Sequence, residues 1–195
     1  MRDMKGILTG LALTLCLASP AVLADDDDWQ PGTVHPVFET GIAFGGDRLA
    51  TRRYVLGGHS SVYAGKGLYV AFGVLDNFGT SPWSFKGTLG DQTGFSTGFS
   101  SSISFTRYPI DALLMYTHDR QHLGFGLTYQ ANPKFDPNNG FPDIAFKDAL
   151  GPTLEYQYRF LGLRYTYARY RAVSTCLDKC TYDGSYIGLF FNFIF

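Results

Sequence analysis

From about residue 35 onward, apolar side chains recur at every second position, and that period restricts what the chain can become. Leu68, Val70, Phe72 and Val74 alternate with Gly67, Tyr69, Ala71 and Gly73, and Leu123, Phe125, Leu127 and Tyr129 alternate with Gly124, Gly126, Thr128 and Gln130. Leu154, Tyr156, Tyr158 and Phe160 stand against Thr153, Glu155, Gln157 and Arg159 in the same way. So do Leu161, Leu163, Tyr165 and Tyr167 against Gly162, Arg164, Thr166 and Ala168. Successive side chains of a strand point to opposite faces, so each run makes a ribbon with one apolar face and one polar or small face. A helix would repeat near 3.6 residues instead. The chain therefore reads as all-β.

Clusters of Gly, Pro, Asn and Asp punctuate the runs and predict eight strands at about 35 to 44, 61 to 75, 83 to 92, 100 to 107, 121 to 131, 151 to 160, 161 to 172 and 185 to 195. The connections differ in character. Long polar ones fall at about 45 to 60, 132 to 150 and 173 to 184, and shorter ones at 76 to 82 and near 160. Tyr108 to Arg120 is expected as a wide turn, although Ala112 to Thr117 could form a strand of its own. Ten strands would follow if the segment Arg52 to Leu56 also paired.

Other segments bound the setting. Arg2 and Lys5, an apolar run from Gly6 to Leu17 and the small-residue end at Ala24 have the layout of a signal peptide over residues 1–24. An acidic segment at 25–34 follows, then a single barrel domain over 35–195. No stretch after the signal approaches the 18 apolar residues of a membrane-spanning helix. Removing the signal leaves 14 basic and 16 acidic residues, a balance without the basic footprint of nucleic-acid binding. Cys16 falls within the signal after Leu15, where a lipid-anchored cysteine would want a small residue. Cys176 and Cys180 remain, beside Asp178, Lys179 and Asp183, and in an oxidising compartment they are expected to form a loop disulfide. A structural zinc site would want four ligands, so no metal and no cofactor is expected.

Alternation alone does not say which face is inside, and a soluble lipocalin-type carrier would put the apolar set inward. The C-terminus separates the two readings. Ile187, Leu189, Phe191, Phe193 and Phe195 alternate to the final Phe. Together with the signal peptide, the period-two strands and the loop asymmetry, this resembles the small eight-stranded outer-membrane barrels of Gram-negative bacteria. The stretch Leu161-Gly162-Leu163-Arg164-Tyr165 is similar to what such barrels carry. The resemblance implies an antiparallel up-and-down transmembrane β-barrel in the outer membrane. It also implies lipid and lipopolysaccharide around the wall, and outer-membrane assembly machinery as a partner that reads the C-terminal strand. Trp83, Tyr129, Tyr156, Tyr158, Tyr165 and Tyr167 become candidates for aromatic girdles, and Lys66, Arg169 and Arg171 for the outer rim.

With the apolar face in lipid, parity sends Glu39, Lys86, Glu155, Arg159 and Arg164 inward. Eight strands enclose a space that side chains can fill, so a polar plug is expected, with a narrow channel as the alternative. The corresponding role is structural, or surface interaction through three extended external loops with no readable partner. Among such barrels a lipid A deacylase carries a His-x-Ser pair with a supporting carboxylate, and His59-Ser60-Ser61 has that spacing. It departs from the pattern by lying in the first external loop, with no identifiable acid, so a lipid-modifying enzyme is the second reading. His118 and His122 are expected on a solvated turn, because four-residue spacing gathers a metal site on a helix and not on a strand.

Overall fold

In the computed structural model, residues 33–53, 59–98, 101–137, 142–173 and 180–195 are described. The expected signal peptide and nearly all of the acidic segment lie outside them. The strands are β1 (Val34–Gly45), β2 (Arg48–Arg53), β3 (His59–Tyr63), β4 (Gly67–Asn77), β5 (Trp83–Gly98), β6 (Ser101–His118), β7 (Gln121–Asp136), β8 (Ile144–Ala145), β9 (Ala149–Tyr158), β10 (Leu161–Thr166), β11 (Arg169–Arg171), β12 (Thr181–Asp183) and β13 (Tyr186–Ile194). Eight of them, in the order β6-β5-β4-β1-β13-β10-β9-β7, form one antiparallel sheet, and pairing of β6 with β7 closes it into a barrel. Closure leaves the wall without a free edge, which a backbone in lipid requires.

One end of the barrel is tight. Residues 78–82, 119–120 and 159–160 make its three turns, and Thr33 and Phe195 bond back to the wall beside them. Asp119 (φ 52°) and Arg159 (φ 55°) take the left-handed conformation that these two-residue reversals demand. The opposite end carries four long hairpins. β2 and β3 extend the β1–β4 pair, and β11 and β12 extend β10 and β13. β5 and β6 run on as a long two-stranded arm, and β8 pairs with the far end of β7.

The barrel has the expected eight strands, but two connections differ from the sequence reading. Tyr108 to Arg120 is not a wide turn: β6 runs unbroken through this segment to His118, and the reversal needs only Asp119 and Arg120. The segment near Arg52 does pair, yet in a separate two-stranded hairpin that adds no strand to the barrel. Four hairpins therefore project, not three. Pro109 in the middle of β6 keeps its place opposite Gln130 on β7 and falls, toward β5, in the gap between the Leu89–Ile110 and Gln92–Arg107 pairs, where its missing N–H interrupts no ladder pair.

The two faces have the chemistry that alternation demanded. Ile42, Val70, Phe72, Leu89, Leu127, Leu154, Leu163 and Ile187 point outward and are exposed, while Glu39, Lys86, Gln92, Asp111, Glu155 and Arg164 are buried inside. An apolar exterior around a polar interior inverts a soluble protein and is the arrangement of an outer-membrane-type barrel. The outer wall also carries aromatic rings at both heights. Trp83, Tyr116 and Tyr158 stand near the turns, and Phe44, Tyr108 and Tyr129 near the hairpins.

Candidate functional site

The barrel interior is layered. Val37, Leu75, Leu113, Met115 and Ile194 form an apolar floor at the turn end. Above it lies a charged cluster to which six of the eight barrel strands contribute.

Arg164, on β10, is the hub and is fully buried. Its Nε donates to Glu155 Oε2 at 2.7 Å, its Nη2 to Glu39 Oε2 at 2.8 Å, and its Nη1 to Asp111 Oδ2 at 2.8 Å. Lys86 Nζ donates to Glu39 Oε1 at 2.7 Å and also to Glu155 Oε1. The Tyr69 hydroxyl lies 3.0 Å from Asp111 Oδ2 and 3.2 Å from Glu39 Oε2, and Thr88 Oγ1 donates to Asp111 at 3.2 Å. The guanidinium also lies over the Phe190 ring, 4.5 Å from its centroid. Gly188, directly across from Arg164, leaves room for this: a Cβ there would come within 2.4 Å of the Phe190 ring. Glu39, Tyr69, Lys86, Asp111, Glu155 and Arg164 come from β1, β4, β5, β6, β9 and β10, so the cluster ties opposite walls together and fixes their relative heights. A carboxylate or guanidinium in such surroundings is costly unless every bond is made.

The structure thus brings Glu39, Lys86, Glu155 and Arg164 together. Arg159 requires a correction: it sits in the exposed turn after β9, beyond the last inward position of that strand. His122 is also corrected. It is buried inside the barrel, its Nδ1 3.0 Å from Thr117 Oγ1, whereas His118 is exposed at the turn. The sequence reading missed Asp111 because it gave that segment to a turn. Inward neighbours Leu113 and Met115 belong to the apolar floor, so the two faces of β6 lack contrast there. Tyr69 was read on the inner face but not as part of a charged cluster.

Toward the hairpins, Arg107 crosses the interior. Its Nη1 donates to Ala64 O at 2.6 Å and Nη2 to Gly65 O at 3.2 Å, and the guanidinium lies 5.4 Å from the Phe105 ring and 5.3 Å from the Tyr186 ring. Above it, Val62, Ile103, Phe105, Phe135, Phe146 and Tyr170 pack into a second apolar core formed by the hairpins themselves. Backbone bonds tie those hairpins together: Asp47 N to Asp183 O at 2.6 Å, and Lys147 N to Arg171 O at 2.8 Å.

Ser61 lies on β3 with its hydroxyl 3.0 Å from that of Thr51, and among the described residues no acid bonds to it. The side chain of His59 is outside the described residues. Ile187, Leu189, Phe191, Phe193 and Phe195 lie on the outer face of β13 or just past it, the strand that joins β1 to β10. Tyr129 and Tyr165 are outward, and the Tyr129 hydroxyl donates to Asp148 Oδ2 at 2.5 Å. Lys66, Arg169 and Arg171 are exposed at the hairpin end. Cys180 is disulfide-bonded, while Cys176 lies outside the described residues.

No family model and no curated protein matches the chain. Solved structures are similar to it, two of them named as a surface protein and an outer membrane protein. One is the crystal structure of Neisserial surface protein A (NspA), with 12% identity and a TM-score of 0.45, over 83% of this chain and 97% of that one. The other is outer membrane protein AlkL, solved by solid-state NMR in DMPC lipid bilayers, with 14% identity and a TM-score of 0.47, over 91% and 95%.

Proposed function

We propose that this chain is an integral outer-membrane protein whose barrel does not conduct and whose four hairpins form a folded outer surface for interaction. The observation that carries this reading is the buried cluster around Arg164. Its charged side chains bond to one another across the lumen, and apolar clusters lie below and above them, which supports a filled interior. An eight-stranded barrel has little width beyond what side chains occupy. The exposed apolar belt supports residence in lipid, with outer-membrane lipid and lipopolysaccharide as the surrounding partners. The outward row on β13 is the face proposed for recognition by the assembly machinery. Cys176, four residues before the disulfide-bonded Cys180, is its proposed partner.

The purified protein is expected to migrate differently in gels before and after heating, and to leave planar bilayers silent. Stable, reproducible conductance steps from unheated protein would overturn the non-conducting reading.

A further inference from the structure

Between the charged cluster and the aromatic core lies a layer of side chains whose polar atoms lack protein partners. Arg107 is fully buried. Both its terminal nitrogens bond to backbone carbonyls, and among the described residues its Nε has no bonding partner and no carboxylate pairs with it. Gln92 stands directly opposite it on β5, fully buried, with neither amide atom bonded. Gln130 on β7 is in the same condition, and so are the Thr128 hydroxyl beside it and the second carboxylate oxygen of Asp111, which pairs with Thr128 across β6 and β7.

Orphaned buried polar atoms are individually expensive, and native structures satisfy nearly all of them. Among the described residues most of them gather on three adjacent strands, with the Tyr170 and Tyr186 hydroxyls and Asn192 Oδ1 on β11 and β13 as the others. Their chemistry selects what can satisfy them. The guanidinium Nε–H and the two amide NH2 groups donate, the two amide oxygens and Asp111 Oδ1 accept, and the Thr128 hydroxyl does both. A bare anion would leave the acceptors unanswered, and a bare cation would leave the donors. Water serves both, and buried water characteristically makes two to four such bonds.

We propose that this layer is a built internal hydration site, in which ordered water molecules join Arg107 to Asp111 through Gln92, Gln130 and Thr128. The water is sealed from the hairpin end by Phe105 and Tyr170 and from the turn end by the Arg164 cluster. It is an enclosed cluster and not a segment of a continuous pore.

Two measurements test this. In a high-resolution crystal structure of the wild-type protein grown with sodium bromide, ordered water bonded to Arg107 Nε and to both glutamine amides is expected, with no anomalous bromide peak among them. A bromide peak in the layer would make it an anion site. Direct bonds between the glutamines, with no water, would make it dry, and either result overturns the proposal. The double variant Gln92→Leu/Gln130→Leu separates the two cases. If the layer is hydrated, removing the bridging amides strands Arg107 and Asp111, and the urea midpoint of unfolding from detergent or vesicles falls. If it is dry, the same change removes four buried amide atoms that bridge nothing to Arg107 or Asp111, and the midpoint holds or rises. An unchanged or raised midpoint counts against hydration.

Discussion

Single side chains decide whether the barrel interior is stabilising or ruinous. Arg164 answers three carboxylates at once, so its loss exposes all three to each other in a buried site. Arg164→Met is expected to cost about 3–5 kcal/mol, the range for breaking a buried ion pair by deleting one partner. Reversible urea unfolding into lipid vesicles would measure it. Asp148 makes a smaller and opposite kind of case, at the hairpin end and exposed. Its carboxylate accepts the Tyr129 hydroxyl and the Asn132 backbone N–H, and those bonds hold its pKa below the usual carboxylate range. A depressed folded-state value means that stability is present above the unfolded pKa and is lost as pH falls through the folded one. Carboxyl NMR titration should find Asp148 below the ordinary aspartate value, and Tyr129→Phe should move it back up. A titration unchanged by that variant would show that the tyrosine bond does not set it.

Among the elements, turns and hairpins divide the work. The tight reversals Asp119-Arg120 and Arg159-Phe160 carry ordinary residues in the left-handed region, which costs a residue with a Cβ about 1–2 kcal/mol. Glycine avoids that cost but loses roughly 0.5–1 kcal/mol to its greater freedom in the unfolded chain. Arg159→Gly is therefore expected to stabilise the barrel by about 0.5–1 kcal/mol in the same unfolding assay. Destabilisation would mean that the exposed Arg159 side chain has a role the turn geometry does not reveal. At the other end, the hairpins are not loose loops: β2 with β3, and β11 with β12, continue the wall strands and bury Phe146 and Tyr170 between them. Sequence reading gave β2 and β12 to polar connections and ran β11 and most of β3 into longer wall strands, because these strands are only three to six residues long. So short a run does not establish a period.

For the molecule as a whole, the charges inside the barrel balance. Glu39, Asp111 and Glu155 face Lys86, Arg107 and Arg164 among the buried described residues. The balance is not local. The central cluster holds all three carboxylates with two of the cations, and Arg107 stands apart toward the hairpins. That separation is what makes an intervening polar layer necessary, and hence what directs attention to Gln92 and Gln130. In a low-dielectric wall, neutrality over the whole interior limits the field that lipid must tolerate, and pairing within each layer limits the cost of each group.

The amino-acid order by itself determined the strand period and the two faces, because alternation is a local property that needs no knowledge of what lies across the barrel. It also sent Glu39, Lys86, Glu155 and Arg164 to one face by counting alone. Only the tertiary structure decided that these four meet, and that Asp111 and Tyr69 join them from strands where the inner face is too apolar or too aromatic to stand out. It likewise decided that Arg159 falls outside, since parity carries no information about where a strand stops. The register around a closed barrel sets the height of each residue, and height, unlike face, is fixed by strands far apart in the chain.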